Sequence, residues 1–139
     1  MINCVYYQQA VKNESFLSEL EHHLPQDFYD WKTTIIFYTA LHYLKSFGTV
    51  LGVNFETHVD ASAALKAKGV GLPPDIDLGP HVWKYAALYG HSRSSRYAGY
   101  VDSNYGKLAK SRLKDDKRYL ADIKDWIVPR LEAHYNSSS

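Results

Sequence analysis

The chain of 139 residues fits a single domain, since it is long enough for one hydrophobic core and too short for two. Hydrophobic residues make up 45% of it and charged residues 22%, which is typical of a folded globular protein and not of a disordered one. The formal net charge of +1 excludes a protein that holds nucleic acid by bulk positive charge, so any such contact must be local.

Helical periodicity predicts the first two elements. Gln8–Leu24 has apolar residues at helical spacing and is expected to form an amphipathic helix. The next helix, capped by Asp27 or Asp30, is predicted to be the central one and to loosen at Gly48 and Gly52, because glycine is unfavourable inside a helix. It is apolar on two adjacent faces: Trp31, Ile35, Tyr38 and His42 on one, and Thr34, Phe37, Leu41 and Leu44 on the other.

Two less regular segments and a third long helix follow. Thr57–Ala67 is predicted to form a short helix, and residues 69–80, rich in glycine and proline, to form a flexible loop. After this loop the spacing predicts a helix that continues through Arg93 only if it passes Gly90. Val82, Tyr85, Ala86 and Tyr89 are expected to share one face of this helix, which Arg93, Arg96 and Tyr100 would continue.

The last helix is predicted from about Tyr105 to Tyr135, with Pro129 bending or ending it and a frayed tail at 136–139. The charged run Lys114–Arg118 is assigned to its outer face. Its inner face is expected to consist of six apolar residues: Ala109, Leu113, Leu120, Ile123, Ile127 and Leu131. No segment alternates like a strand, so the sequence predicts one all-α domain, an up-down bundle of four or five helices with its core within residues 8–131.

Two groups of side chains could carry chemistry. His42, one turn after Tyr38, is a candidate general base or acid; the alternative is a half-buried histidine bonded to a neighbouring tyrosine. Arg93 and Arg96, one turn apart, are candidates for binding phosphate or carboxylate; the alternative is an ion pair with a neighbouring helix. His91, Tyr97 and Tyr100 lie in the same stretch and could complete a binding cleft.

Metal, cofactor and membrane sites are not expected. A di-iron bundle needs Glu-x-x-His on two helices, and only Glu19–His22 has that spacing. The common phosphate-loop, zinc-protease and serine-hydrolase motifs are also missing from the sequence. The only cysteine is Cys4, and the chain has neither a secretory signal pattern nor a long apolar run. We therefore expect a cytoplasmic protein without a cofactor, a metal or a membrane partner.

Three short motifs resemble the HEPN superfamily of small helical bundles: Phe37–Tyr43 on the central helix, the lone His58, and Leu88–Tyr97, which contains Ser-Arg-Ser-Ser-Arg-Tyr. This resemblance implies a bundle that is often dimeric and linked to RNA processing, toxin–antitoxin pairs or nucleotide binding. Active HEPN ribonucleases carry arginine followed by histidine four to six residues later. This chain departs from that pattern, because the next histidine after Arg96 is His134.

Three hypotheses follow from the residues and the resemblance. The first is a domain that binds RNA, a nucleotide or a protein partner through a cleft of Tyr38, His42, His58 and the 91–100 stretch. The second is a divergent, metal-independent ribonuclease in which Arg96 stabilises the pentavalent phosphorus and a histidine such as His42 moves the proton. The third is an antitoxin-like or structural subunit, either a homodimer or bound to a nucleotidyltransferase-type partner.

Overall fold

The structure is a computed structural model that describes residues 2–53, 78–97 and 105–137, with the backbone alone at 96–97 and 105–106. Within these ranges it has four α-helices and no strand, which confirms the predicted all-α fold. The helices are α1 (Val5–His23), α2 (Tyr29–Leu51), α3 (Val82–Tyr97) and α4 (Tyr105–Ser137), and a 3-10 turn at Gly79–His81 leads into α3. None of these helices combines the length and the apolar character needed to cross a membrane.

Contacts between side chains fix the helix directions. The pairs that join helices are Lys117–Glu21 and Lys124–Glu14 between α4 and α1, and Lys84–Asp122 and His91–Asp116 between α3 and α4. In both sets the numbers rise on one helix as they fall on the other, so each pair of helices is antiparallel. The short turn between α1 and α2 reverses the chain as well, and the four helices run up, down, up and down, as predicted.

Helix α2 is the central helix, because it packs against α1, α3 and α4. The predicted loosening is wrong at Gly48 and confirmed at Gly52. Gly48 is buried inside α2, and the helix continues to Leu51. It ends at Gly52, whose φ of 75° is a left-handed conformation that favours glycine.

The start of α2 and one of its two predicted apolar faces differ from expectation, whereas Phe37, Leu41 and Leu44 on the other face are buried as predicted. The N-cap residue is Phe28 and no side chain caps the helix; Asp27 Oδ1 accepts a hydrogen bond from the Phe28 N–H instead. The face that carries Trp31 and Tyr38 is exposed rather than central. Small and polar residues such as Thr33 take inner positions of α2, because the threonine hydroxyl bonds to the carbonyl of Tyr29 one turn earlier and needs no water.

Helix α3 passes through Gly90 and reaches Tyr97, so Arg93 and Arg96 do lie on one helix. The predicted apolar face of α3 turns inward only in part: Tyr85 is buried and Tyr89 is half-buried against the core. The buried residues are Tyr85, Leu88, Ser92 and Ser95, whereas Val82 and Ala86 are exposed. Because Ser92 and Ser95 are polar, a hydropathy pattern does not reveal this part of the buried face.

Helix α4 confirms the predicted apolar stripe, since all six residues of its inner face are buried. The assignment of Lys114–Arg118 to the outer face is wrong for one residue. Asp116 is fully buried, because it lies three residues after Leu113 and four before Leu120 on the inner face. Pro129 does not end the helix, which runs to Ser137 and so includes part of the expected tail.

The predicted helix Thr57–Ala67 and residues 69–77 of the predicted loop lie outside the described residues. The last residues of that loop are described. Leu78 is fully buried, and Gly79 and Pro80 form the 3-10 turn before α3. Gly79 has a φ of 54° and lies so close to Trp126 that an added Cβ would be 2.7 Å from the indole ring.

Candidate functional site

His91 and Asp116 form a hydrogen-bonded pair between α3 and α4. His91 Nδ1 is 2.6 Å from Asp116 Oδ1, and the Asp116 side chain is fully buried while His91 keeps 23% of its side-chain surface exposed. Helix α3 aims the imidazole at α4 because its neighbour Ser92 lies on the buried face. The pair therefore joins a buried carboxylate to an imidazole that reaches the surface.

The hydrogen bond fixes how the imidazole of His91 can act. An ionised carboxylate only accepts hydrogen bonds, so His91 Nδ1 carries the hydrogen and donates it to Asp116. In the neutral ring the lone pair is then on Nε2. Carboxylates orient the imidazoles of catalytic histidines in this way. An imidazole that is protonated on both nitrogens can also bind an anion. The arrangement can serve proton transfer or phosphate binding.

Two buried polar atoms near this pair lack a hydrogen-bond partner in the described part of the chain: Asp116 Oδ2 and Ser92 Oγ. Leaving a buried polar group unsatisfied costs about 1 to 3 kcal/mol, and native structures contain few such groups. Asp116 is part of the contact between α3 and α4, and Ser92 directly follows its partner His91. This part of the core is therefore less stable than it would be with two apolar side chains in place of the buried polar ones.

Positive charge is concentrated in the sequence around this pair. Residues 93–118 contain eight Lys or Arg and three Asp or Glu, a formal charge of +5, so the other residues together carry −4. In the structure, Lys107, Lys110 and Lys114 are exposed on the first half of α4. The end of α3, with exposed Arg93, lies at the same end of the bundle, because α3 and α4 are antiparallel. We call this part, the described residues of 91–118, the basic end.

Arg112 is a cation of the basic end on the same face of α4 as Asp116. It precedes Asp116 by four residues and is half-buried, so it lies one turn, about 6 Å, along the same stripe of α4. By contrast, Arg93 follows His91 by two residues, and such residues do not share a helix face. His91 and Arg93 therefore lie on different flanks of α3.

Tyr38 and His42 belong to another part of the molecule. Tyr38 lines a groove between α1 and α2, and His42 Nδ1 donates to the main-chain carbonyl of Tyr38 at 2.7 Å. The ring of His42 packs at 6.5 Å from that of Tyr6 on α1. Phe37 connects this region to α3, because its ring contacts both Tyr38 and Tyr89.

His42 and His91 lie at different positions along the long axis of the bundle. Lys110 lies over the Tyr29 ring, and both Tyr43 and Lys124 bond to Glu14 Oε2. Helices α2 and α4 therefore run parallel, with Tyr29 level with Lys110. His42 is then level with the turn at Ile123, which is about 10 Å along α4 from Asp116. The structure does not bring the two histidines together.

The remaining predicted site residues are not fully described. Arg96 and Tyr97 form the last turn of α3, and their side chains lie outside the described part; His58 and Tyr100 lie outside it altogether. Sequence reasoning missed Asp116 and Arg112. The concentration of positive charge in residues 93–118 was the available signal for this region, whereas nothing in the periodicity pairs Asp116 with His91.

A second polar network joins α1, α2 and α4 away from the basic end. The Tyr43 hydroxyl donates to Glu14 at 2.5 Å, and Lys124 contacts the same carboxylate oxygen at 3.1 Å. Burial raises the pKa of the Tyr43 hydroxyl well above its usual value, and the Glu14 hydrogen bond acts in the same direction. A tyrosine that holds its proton so firmly is a structural donor rather than an acid.

Comparison with known proteins gives no family assignment: the chain matches no protein-family model and no curated protein. Among the described residues, no cluster of three or more His, Cys, Asp or Glu could hold a metal ion.

Proposed function

We propose that this protein binds RNA through the basic end of the bundle, with phosphates held by the cations of α3 and α4 beside His91. The observation that carries the proposal is the separation of charge: +5 over residues 93–118 in a chain whose net charge is +1. Local positive charge of this kind attracts a polyanion even when the whole protein is nearly neutral.

The cations of the basic end differ in how they are paired. Lys117 contacts Glu21 at 2.7 Å and Arg118 contacts Asp115 at 3.2 Å, so these two are partly neutralised. Exposed lysines such as Lys107 and Lys114, together with Arg93, supply the charge for phosphates. The resemblance of Leu88–Tyr97 to HEPN sequences points in the same direction, since that superfamily is linked to RNA processing and nucleotide binding.

A binding titration tests this proposal. Labelled single-stranded RNA is titrated with the wild type and with Arg93→Ala and Lys110→Ala at two salt concentrations, with ATP as a competing nucleotide. Each lost phosphate contact should weaken binding to RNA of any sequence. It should also reduce the slope of the logarithm of the binding constant against the logarithm of salt concentration by about 1. Arg130→Ala is the matched control, because Arg130 is an exposed arginine of α4 that lies outside the basic end and packs on Trp126.

Two results would contradict RNA binding at this surface. One is wild-type protein with no measurable affinity for RNA at low salt. The other is equal loss of affinity in the Arg130→Ala control and the two test variants. Binding of ATP with no binding of RNA would instead identify a nucleotide as the ligand, and the same variants would then map its phosphates.

A metal-independent ribonuclease is the second candidate, and the His91–Asp116 pair is the observation that favours it. In such a reaction a base removes the 2′-hydroxyl proton, the 2′-oxygen attacks phosphorus, and the 5′-oxygen leaves with a proton, which gives a 2′,3′-cyclic phosphate. His91, oriented by Asp116, is the better candidate for proton transfer than His42, because His42 lies about 10 Å along the bundle from the level of Asp116.

The test of this second candidate is RNA cleavage in the presence of a chelator. His91→Ala should abolish any cleavage, whereas His42→Ala is the matched control and should retain it. Loss of cleavage in both variants, with both folded, would contradict the assignment to His91. No cleavage by the wild type would leave the protein as a binding domain.

A further inference from the structure

An apolar groove of about 620 Å³ runs between α1 and α2. Phe16 and Leu20 of α1 line one side, Trp31 and Tyr38 of α2 line the other, and Phe28 closes the end at the turn. None of the described residues that line it is charged. We call this surface the α1–α2 groove, and it is separate from the basic end.

The apolar area that the groove leaves exposed is close to what a dimer needs. Four of its aromatic residues are strongly exposed: Phe16 by 58%, Phe28 by 43%, Trp31 by 60% and Tyr38 by 39%. Since an aromatic side chain offers about 150 to 250 Å², these fractions amount to about 400 Å². A stable dimer buries about 800 Å² on each partner, of which about two-thirds is apolar in homodimers. Leucines such as Leu24, 39% exposed, supply part of the remainder.

The shape of the groove suits a copy of itself. Trp31 and Phe16 are the most exposed of its lining residues and stand on opposite rims, one on each helix. In an antiparallel two-fold arrangement, the rim aromatics of both copies can therefore lie within the contact between the copies. The backbone at Phe28 holds a φ of 57°, which is strained for a bulky residue and keeps this ring at the groove.

Charges beside the groove are arranged for a two-fold axis. Acidic residues lie at the end where α1 finishes and α2 begins: Glu19, Asp27 and Asp30. Basic groups lie toward the other end: Lys12, His42 and Lys45. A two-fold axis perpendicular to α2 and level with residue 36 sets Asp27 of one copy level with Lys45 of the other, because each is nine residues from the axis. In a two-fold dimer this contact occurs twice.

From the area, the rim aromatics and the charge arrangement, we propose that the α1–α2 groove binds a second copy of this chain. The two copies form an antiparallel two-fold dimer in which four helices, α1 and α2 of each copy, pack together. This dimer is independent of RNA binding, because it leaves the basic end exposed on both copies.

Sedimentation equilibrium of the full chain across a wide range of concentration measures the dimer directly. Trp31→Ala should raise the dimer dissociation constant at least about 30-fold, as expected for a large aromatic side chain that becomes buried in the interface. Trp83→Ala is the matched control, since Trp83 is a similarly exposed tryptophan, 56%, that contacts Tyr119 on the other side of the bundle. This control should change the constant by no more than about twofold.

The charge arrangement allows a test that distinguishes this dimer from other self-association. At low salt, Asp27→Lys and Lys45→Asp should each weaken the homodimer, because each creates two like-charge contacts. An equimolar mixture of the two variants should restore association. In that heterodimer the introduced lysine of one copy would face the introduced aspartate of the other, and the unchanged Lys45 would face the unchanged Asp27. Circular dichroism checks that each variant is folded.

The proposal is overturned by a wild type that stays monomeric at every concentration. It is also overturned by a dimer that tolerates Trp31→Ala, or by a mixture of the two charge variants that associates no better than either alone. A protein that binds RNA as a monomer would disprove the dimer and leave the proposed function standing.

Discussion

The imidazole of His91 donates a hydrogen bond to the fully buried carboxylate of Asp116, with 2.6 Å between Nδ1 and Oδ1. This bond joins α3 to α4 at the basic end. It holds in the interior a charge that would otherwise lack a partner, because the second carboxylate oxygen of Asp116 bonds to no described group. The stability of this end of the bundle and the orientation of His91 thus depend on the same contact.

We predict that His91→Ala destabilises the protein by about 3 kcal/mol, since removing one partner of a buried pair leaves the other charge uncompensated. Asp116→Asn should cost less, because the amide oxygen still accepts from the imidazole and no charge remains buried. Urea denaturation of both variants measures the difference. A loss below about 0.5 kcal/mol for His91→Ala would mean that the pair does not stabilise the fold.

Tyr43 should make stability sensitive to alkaline pH. Its pKa is raised by burial and by Glu14, so the folded protein keeps this proton at a pH where the unfolded chain loses it. The stabilisation is therefore complete below about pH 10 and is lost as pH rises toward the folded-state pKa. Tyr43→Phe should lose less stability than the wild type between about pH 9 and pH 11. Parallel pH profiles of the two proteins would contradict this.

The glycines of the α3 region should respond in opposite directions to alanine. Gly79→Ala should destabilise by about 2 kcal/mol or more, because its φ of 54° disfavours a side chain and the new Cβ would meet Trp126 at 2.7 Å. Gly90→Ala should stabilise by about 0.5 to 1 kcal/mol, since it is inside a helix and a Cβ meets nothing within 4 Å. Thermal unfolding of both variants tests this; the same sign in both would contradict the local geometry.

The sequence predicted the helices well and the inner faces unevenly. The stripe of α4 was readable because leucine and isoleucine at every third or fourth position can only face a core. The buried face of α3 was only partly predicted, because it includes Ser92 and Ser95, whose polarity gives no apolar signal. Of the two glycines predicted to loosen α2, Gly52 does end the helix, whereas Gly48 is tolerated within its buried part.

The candidate site was only partly predictable for a related reason. His91 and Arg93 were assigned to one cleft because they are close in sequence, yet residues two positions apart point to different flanks of a helix. Asp116 was taken for a solvent-facing charge because it lies in a charged run, and only the packing of α3 against α4 gives it a partner. The HEPN resemblance and a nucleotidyltransferase-type partner stay predictions.

The central claim is that RNA phosphates contact the basic end, and an NMR titration of ¹⁵N-labelled protein with single-stranded RNA tests it most directly. We predict that the amide shifts that change with added RNA cluster at His91 and Arg93 on α3 and at Lys107–Lys117 on α4, and that they diminish as salt is raised. Changes confined to the α1–α2 groove around Trp31 and Tyr38, or no change at low salt, would contradict the claim.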